Sequence, residues 1–393
     1  MLFLLRKIFI NDYKNIGNDG VRVRHAHLAS IFGVITNVFL FIVKLVFGII
    51  SSSISLIADA INNLSDTSNS IVSLVGFKLS SKPADKEHPY GHQRIEYLTG
   101  LVISIVIVVL GINLLWQSID RIINHVSSVF TLTTFIILGA AILLKIYQSY
   151  FNYRIAKLIN SITLKATALD SLLDVLATTG ILVSGLLNHF YGLEIDGYIG
   201  IAVSLFISYS GIKMIKETVN PLIGSPPDNH LVKKIMKDIL SFPEVLGVHD
   251  LRVHSYGPTK MFMSLHIEVD VKMDLLSSHQ LTDSIEVFVK EKYNIELVTH
   301  LDPIDLDDEE ALEVKNKIET YLGLISSELS FHDFRLVKEK KKKLAIFELV
   351  VPFDFKLSNK QILNKLKEFT YKDNLEAELV VTFETPYIET KSF

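Results

Sequence analysis

Six long apolar segments, all within the first 217 residues, constrain the fold of this chain more than any other feature. Each approaches the ~20 residues that an α-helix needs to cross the hydrocarbon core of a bilayer. They lie at roughly residues 28–50, 54–77, 98–116, 131–151, 167–190 and 195–215. No comparable segment follows, so the sequence predicts a six-helix membrane bundle over residues 1–217 and a water-soluble region after it.

Two pairs of polar residues interrupt the second and the fifth apolar segments. Asn62 and Asp66 form one pair, and Asp170 and Asp174 form the other, each with a spacing of four. Residues at i and i+4 share one face of a helix, about one turn apart. Because a carboxylate in hydrocarbon is tolerated mainly where it faces a bundle interior with a partner, these pairs indicate function. Together they offer a divalent cation one amide and three carboxylates.

The distribution of Lys and Arg predicts the orientation in the membrane. These residues crowd the N-terminal segment and the loops after segments two, four and six, whereas the opposite loops carry little positive charge. By the positive-inside rule, both termini and the soluble region are cytoplasmic. The formal net charge of -4 gives no sign of nucleic-acid binding. With no cysteine, the chain has neither disulfides nor thiolate metal ligands.

The soluble region contains an internal repeat, which begins after the linker PLIGSPPD at 221–228. Residues 228–302 and 308–385 each follow the order helix, strand, strand, helix, strand. The echoes HDLR and HDFR, LSSHQL and LSNKQI, and VTHLDP and VTFETP link the two stretches. The sequence therefore predicts two copies of one αββαβ unit, in domains at 218–303 and 304–393.

Metal-ligating side chains concentrate in the first copy. Imidazole and carboxylate together suit divalent transition metals such as Zn, Mn or Fe, and the candidate ligands are His249, His266, His279, His300 and Asp302. In the predicted alignment His249 meets His332, but the others meet Phe347, Lys360, Phe383 and Thr385. The second copy is therefore expected to lack most of the ligands. The alternative is that these histidines are ordinary core or surface residues, but their concentration in one copy favours a metal site.

A third cluster lies in the short loop ADKEHPYGHQR at 84–94, between the second and third apolar segments. Asp85, His88 and His92 would coordinate a metal if this loop folds back on itself. Pro89 and Gly91 indicate a turn rather than a regular helix. A polar loop with incidental histidines is the alternative interpretation.

These motifs carry a family resemblance. ADAINNLSD, HPYGHQRIEYLTG and ALDSLLD in the membrane part, then PLIG, HDLR and THLDP, resemble the cation diffusion facilitator family over roughly residues 20–303. The resemblance implies a homodimeric six-helix transporter that exchanges a divalent metal for protons, with a cytoplasmic ferredoxin-like α+β domain that binds metal. It assigns Asn62, Asp66, Asp170 and Asp174 to the transport site. It assigns the loop cluster and the five first-copy ligands to further metal sites, and no role to the second copy.

The departure from the family's commonest pattern predicts the substrate. Zinc-transporting members usually have a histidine within the two membrane pairs, whereas this sequence has Asn62 and Asp170 at those positions. Hard oxygen ligands suit Mn²⁺, and imidazole favours Zn²⁺. The all-oxygen set and the extra C-terminal domain resemble a bacterial manganese-efflux branch. Zinc or ferrous iron efflux by the same mechanism is the alternative.

The resemblance thus implies a multi-pass protein of the cell membrane whose cargo is a divalent cation, with no other cofactor. Its partners are metal ions, protons, the lipid bilayer and a second copy of the chain. A metal-responsive receptor or scaffold that does not transport remains an alternative of another class. A membrane metalloenzyme is disfavoured, because the predicted spans carry no dense set of HxxH-type pairs and no separate nucleophile.

Overall fold

The computed structural model describes residues 2–10, 12–16, 18–50, 54–124, 132–193, 195–339 and 342–386. The chain divides into two compact units. The first comprises residues 1–225 together with 255–260, and the second comprises residues 226–254 together with 261–393.

The first unit is helical. A short helix is followed by six long ones in the region where six membrane spans are predicted. They are α1 (Leu2–Phe9), α2 (Asp19–Ile50), α3 (Ile54–Ser80), α4 (Ile95–Asn124), α5 (Leu132–Ile159), α6 (Ile162–Tyr191) and α7 (Asp196–Ile223). Among the described residues, five of these helices contain a stretch long and apolar enough to cross a membrane: Gly20–Phe47, Ile95–Asn124, Leu132–Ile159, Ile162–Asn188 and Gly197–Ile223. The sixth long helix, α3, carries Asn62 and Asp66, and many of its side chains lie outside the described part.

Local signals set the ends and the packing of these helices. Ser161 caps α6, because its hydroxyl accepts a hydrogen bond from the backbone N–H of Leu164, 3.2 Å away. Gly192 ends the same helix in the left-handed conformation, with a φ of 66°. Helices α4 and α7 approach closely at Gly111, where an added Cβ would lie 2.5 Å from the Ser208 hydroxyl oxygen. Such small residues allow membrane helices to pack at short range.

The second unit consists of two modules with the same order of elements, as the repeat predicts. The first module contains α8 (Asn229–Ile239), β1 (Gly247–Ser255), β2 (Met261–Asp270), α9 (Leu275–Tyr293) and β3 (Glu296–Ile304). The second contains α10 (Glu309–Ile325), β4 (Ser330–Glu339), β5 (Lys342–Val350), α11 (Asn359–Lys372) and β6 (Glu378–Glu384). Their sheets have the orders β1-β2-β3 and β4-β5-β6, and the last two strands of each are parallel.

Each module buries one face of its sheet under its two helices. In β2 the buried residues alternate as Met263, Leu265, Ile267 and Val269, and in β5 and just after it as Ala345, Phe347, Leu349 and Val351. Since strand side chains alternate between faces, the residues between them lie on the opposite face. Each buried residue of β2 matches the residue of β5, or just after it, whose number is 82 higher. The same difference in residue number therefore matches the residues on the outer faces of these strands.

This offset corrects the predicted alignment of the two copies. Phe347, which was aligned with His266, is fully buried in the core, and Glu348 occupies the position of His266 instead. By the same offset, Glu384 rather than Thr385 matches Asp302, and Thr382 rather than Phe383 matches His300. A shift of one residue moves every side chain of a strand to the other face, which explains why the second copy was expected to lack ligands.

Candidate metal sites

Three carboxylates meet in the interior of the helical unit. Asp66 comes from α3, and Asp170 and Asp174 come from α6. One oxygen from each lies within 4.8 Å of the others. Asp66 is 2% exposed and Asp170 is 7% exposed. The i and i+4 spacing therefore brings both acids of α6 to the face that meets α3, and the three oxygens are close enough to share one divalent cation.

Asn62 lies on α3 one turn before Asp66, in the helix that the sequence predicts. Its side chain lies outside the described part, so its membership of this site stays a prediction. Asn69, which the sequence analysis did not single out, donates a hydrogen bond from Nδ2 to Oδ2 of Asp170 over 3.2 Å. This bond holds the Asp170 carboxylate in position.

A buried lysine joins the carboxylates. Lys145 of α5 donates from Nζ to Oδ2 of Asp66 over 2.7 Å and to Oδ2 of Asp174 over 2.6 Å. Its side chain is only 6% exposed. The sequence analysis missed this residue, although a lysine inside the predicted span 131–151 is itself a signal of function. The ammonium stands between two of the three carboxylates, where a cation would bind.

A small cavity opens beside this group. Polar and charged side chains from four helices line it: Lys44, Asn63, Asp66, Lys145, Asp174 and Thr178. Lys44 is 2% exposed and brings a second buried ammonium from α2 to the cavity. The site is therefore a pocket of mixed charge enclosed by helices, and its geometry suits a small cation rather than an organic substrate.

The loop cluster folds back on itself, and its backbone forms turns as Pro89 and Gly91 indicate. Asp85 lies 3.3 Å from Nε2 of His92 and 3.5 Å from Nδ1 of His88. The backbone N–H groups of His88 and Glu87 donate to Oδ1 of Asp85. The bond from His88 is the largest influence, and it holds the pKa of this exposed carboxyl below its usual range. The three side chains are close enough to bind one metal ion.

In the first module, three of the predicted ligands lie together on the outer face of the sheet. Oδ2 of Asp302 is 2.9 Å from Nδ1 of His266 and 3.2 Å from Nε2 of His249. Burial alone would raise the pKa of Asp302, but the hydrogen bonds and charges of the two histidines outweigh it and lower that pKa. The carboxylate is thus held ionised between two imidazoles.

The other two predicted ligands of this module lie differently. His300 borders the cluster, with Nε2 at 3.5 Å from Oδ1 of Asp302, but its side chain is 68% exposed. His279 lies exposed on α9 and is not among the clustered side chains of the described residues. The sequence pattern therefore identified the right strands, but the structure brings only three of the five candidates into one tight group.

The second module carries a group that the sequence analysis missed. His332, Glu348 and Glu384 each offer one ligand atom, and these atoms lie within 4.8 Å of one another. Burial, followed by the charge of His249, lowers the pKa of His332 to about 4. The imidazole is therefore neutral at physiological pH, the form that binds metal. The echo of HDLR in HDFR was the available signal, since it places His332 where His249 stands.

A cluster of buried carboxylates within a bundle of apolar helices, followed by histidine-bearing α+β modules, defines a membrane protein that handles cations. Comparison with known families identifies it further. Residues 30–223 match the cation efflux transmembrane domain, and residues 227–304 match the cytoplasmic domain of cation efflux proteins. The chain belongs to this family of multi-pass membrane transporters, the cation diffusion facilitators, as its motifs predict. Both matches end before α10.

Individual relatives agree. An uncharacterized transporter of Methanocaldococcus jannaschii is 31% identical over 288 residues, which are 72% of this chain and 100% of that protein. The cation-efflux pump FieF of Pectobacterium carotovorum is 29% identical over 70% of this chain and 92% of its own. The manganese efflux system protein MneS of Bacillus subtilis is 27% identical over 67% of this chain and 90% of its own.

Proposed function

We propose that this cation efflux protein exports a divalent metal, Mn²⁺, in exchange for protons. The observation that carries the proposal is the meeting of Asp66, Asp170 and Asp174 inside the membrane helices, with an oxygen from each within 4.8 Å of the others. Three carboxylates within the membrane helices, two of them buried, are costly unless they serve a cation. We include Asn62 as the fourth ligand because it lies one turn from Asp66 on the same helix.

The choice of Mn²⁺ is supported by ligand chemistry. The proposed set offers only oxygen atoms, and hard oxygen ligands suit Mn²⁺, whereas imidazole suits Zn²⁺. Intrinsic affinity favours zinc, so a site selects manganese by ligand type and geometry. One relative, at 27% identity, is named for manganese efflux, which agrees with this choice.

Lys145 gives the site an internal competitor for the metal. Its ammonium bonds Asp66 and Asp174 in the structure, at 2.7 and 2.6 Å. A divalent cation that binds these oxygens must displace the ammonium, because like charges repel strongly where water is scarce. After the metal leaves, Lys145 returns and neutralises two carboxylates that would otherwise be buried as bare charges. The lysine thereby lowers the affinity for metal and keeps the empty site folded.

Proton exchange follows from the same crowding. Asp170 is the carboxylate of the three to which no lysine bond is described, and it accepts its hydrogen bond from the neutral amide of Asn69. Binding of metal requires deprotonated ligands, so any proton on this group leaves as metal arrives. Rocking of the helices about the site would open it to each side in turn and couple outward metal to inward protons.

Orientation and assembly are part of the proposal. The positive-inside rule supports cytoplasmic termini and a cytoplasmic second unit. The match to the family's cytoplasmic domain supports this location, and it also supports a homodimer. We further infer that each αββαβ module is a shortened ferredoxin-like fold, since it has two helices on one face of a sheet with mixed strand directions.

The test is uptake of Mn²⁺ and Zn²⁺ by proteoliposomes of the purified chain under an imposed pH gradient. We expect Mn²⁺ uptake that needs the gradient and that is lost in Asp174→Asn. The matched control is Asp283→Asn, the same chemical change at an exposed position of α9. This control should transport like the native chain.

Each other outcome has a defined meaning. Preference for Zn²⁺ or Fe²⁺ would keep the transporter and refute the oxygen-ligand argument. Uptake that ignores the pH gradient would refute proton exchange. Normal transport by a folded Asp174→Asn variant would refute the site. Transport of no metal by a folded native chain would refute the proposal in favour of a metal-responsive receptor.

A further inference from the structure

We propose that the second module binds a divalent cation of its own, and that this cation and one in the first module form a paired metal centre between the two sheets. The ligands in the second module are His332, Glu348 and Glu384. The ligands in the first module are His249, His266 and Asp302. The inference concerns residues outside the membrane helices and holds whichever ion the transport site carries.

The geometry of the second cluster fits a metal ion. Nδ1 of His332 lies 3.8 Å from an oxygen of Glu348, and its Nε2 lies 4.0 Å from an oxygen of Glu384. Both separations are too long for a hydrogen bond. One ring nitrogen of His332 and one oxygen of each glutamate lie within 4.8 Å of one another, close enough to share a metal ion. The side chains are 12%, 30% and 26% exposed in that order, so they are largely screened from solvent.

The strand register places the three ligands on one surface. His332 of β4 pairs directly with Glu348 of β5, and Glu384 ends β6 opposite Val350. All three side chains lie on the sheet face opposite the core, at the positions that His249, His266 and Asp302 occupy in the first module. The fold of the repeat therefore builds the same three-point site twice, with a histidine replaced by a glutamate.

The proposed ligands are not paired with basic side chains that would account for their charge. Within the described ranges, no Lys or Arg lies at ion-pair distance from Asp302, Glu348 or Glu384. Buried Nδ1 atoms of His249 and His332 likewise have no hydrogen-bond partner among the residues described. A buried polar atom without a partner is unfavourable, and a bound metal ion would give it one.

Two acids beside the proposed ligands, unlike the ligands themselves, pair with arginines. Asp250 and Asp333 follow the two histidines, and both adopt a left-handed backbone with φ values of 48° and 51°. Arg252 pairs with Asp250 at 2.9 Å, and Arg335 pairs with Asp333 at 3.0 Å. In both modules the arginine pairs with this acid, and in the first module the same acid also lies 3.5 Å from Nε2 of His266.

The two clusters meet inside the second unit. The rings of His249 and His332 stack at a centroid distance of 4.3 Å and an angle of 24°. Asp302 lies beside one of these stacked histidines, and Glu348 and Glu384 lie beside the other. Among the described residues no Lys or Arg pairs with these three carboxylates, so their charges repel in a screened site. Cations between the sheets convert this repulsion into attraction.

Ligand chemistry distinguishes the two positions. The first cluster offers two imidazoles and one carboxylate, a set that favours Zn²⁺. The second offers one imidazole and two carboxylates, which is harder and suits Mn²⁺ or Fe²⁺ better. We therefore expect the second position to accept Mn²⁺, with water completing its coordination.

The test measures bound metal rather than transport. The full-length chain is stripped with a chelator in detergent, equilibrated with Mn²⁺ alone, freed of unbound ion by gel filtration and assayed by mass spectrometry for metal per chain. We expect Glu348→Gln and Glu384→Gln each to lose about one equivalent. Glu328→Gln, the same change at an exposed position of the second module, should lose none.

Two further measurements separate this site from the transport site. Relative to Asp174→Asn, the double variant Asp174→Asn, Glu384→Gln should lose the same single equivalent that Glu384→Gln loses relative to the native chain. If Glu384→Gln alone fails to fold, Glu348→Gln and His332→Asn provide the same readout. Unchanged metal content in folded Glu348→Gln and Glu384→Gln would overturn the second-module site, even if the chain transports normally.

The pairing of the two metals has its own signature. Two Mn²⁺ ions bound by the ring nitrogens of the stacked histidines would lie close enough for their spins to couple, and this coupling would broaden the electron paramagnetic resonance spectrum. We expect the coupled signal to become that of isolated Mn²⁺ in either His249→Asn or Glu384→Gln. A native protein that binds both ions but gives only isolated signals would overturn the pairing.

Discussion

The membrane site and the centre between the modules balance their charges in different ways. Asp66 and Asp174 share the ammonium of Lys145, which comes from the protein itself. Asp302, Glu348 and Glu384 have imidazoles beside them but no basic side chain among the described residues. The membrane site therefore has an internal cation at the position proposed for its metal, and no such cation is seen among the described residues of the modules.

This difference matches two kinds of metal binding. A transport site has to release its cargo in every cycle. An internal cation lowers the free energy of the empty site, because it neutralises carboxylates that would otherwise be unpaired in hydrocarbon. A site between two modules gains by keeping its metal, because metal that binds only the folded state stabilises that state. If both proposals hold, the membrane site combines oxygen ligands with a lysine and exchanges its metal. The sites in the modules use imidazoles, with no lysine among the described residues, and retain theirs.

The largest effect is expected from removing a charge in the membrane site. Asp66→Asn keeps the size of the side chain but removes one ligand charge and one partner of Lys145. We expect Mn²⁺ uptake by proteoliposomes to fall by roughly 100-fold or more, since lesser changes around a bound metal already cost 10–100-fold. Asp283→Asn serves as the control, and a folded Asp66→Asn variant with native uptake would refute the site.

Lys145→Met tests the internal competitor directly. Without the ammonium, Mn²⁺ no longer has to displace a cation, so the apparent KM for Mn²⁺ uptake should fall about tenfold, equivalent to ~1.4 kcal/mol of lost competition. The maximal rate should fall as well, because the metal leaves more slowly. Lys145→Arg keeps the charge and should stay near the native KM. A raised KM in Lys145→Met would show instead that the lysine only supports the fold of the site.

A smaller change is expected in selectivity when an imidazole enters the membrane site. Asp170→His replaces an oxygen ligand by nitrogen, so the ratio of Zn²⁺ to Mn²⁺ uptake should rise several-fold. Asn62→His should change the ratio in the same direction if Asn62 is a ligand. Competition uptake with both metals measures this ratio, and an unchanged ratio in an active Asp170→His variant would contradict the ligand argument.

The smallest effect concerns pH and the metal-free modules. The folded pKa of His332 is lowered from 6.5 to about 4, so the unfolded chain binds a proton between these values that the folded chain does not. Stability is therefore fully present above about pH 6.5 and falls as the pH drops toward 4. Hydrogen-exchange protection of β4 and β5 in chelator, corrected for intrinsic rates, should show this loss. The loss of protection at low pH should be smaller in His332→Leu. It should be as large as in the native chain in the control His230→Leu, which changes an exposed histidine.

The helices were the most predictable part of the molecule. The ion pairs between charged side chains of different helices were the least predictable. The four-residue spacing placed Asp170 and Asp174 on one face of α6, because helix periodicity is a local property. Lys145 lies in another helix, and its reach to Asp66 depends on how α5 rotates against α3 and α6. Its position within an apolar segment signalled a role, but the segment alone could not name its partners.

The repeat shows the same limit in the strands. Its echoes predicted two αββαβ modules in the observed order. The predicted alignment of the strands was wrong by one residue, so it matched His266 with the core residue Phe347 and overlooked Glu348. Buried alternation in β2 and β5 fixes the register, and this alternation is visible only once the sheets are packed against their helices.

The sequence by itself determined the apolar helices, the carboxylates on their faces, the repeated α+β unit and the family. All of these follow from patterns within short segments or from ordered motifs. Only the tertiary structure decided that Lys145 occupies the carboxylate site and that His249 stacks on His332. Such contacts join segments distant in the chain, and they depend on helix rotation and strand register, which local periodicity leaves open.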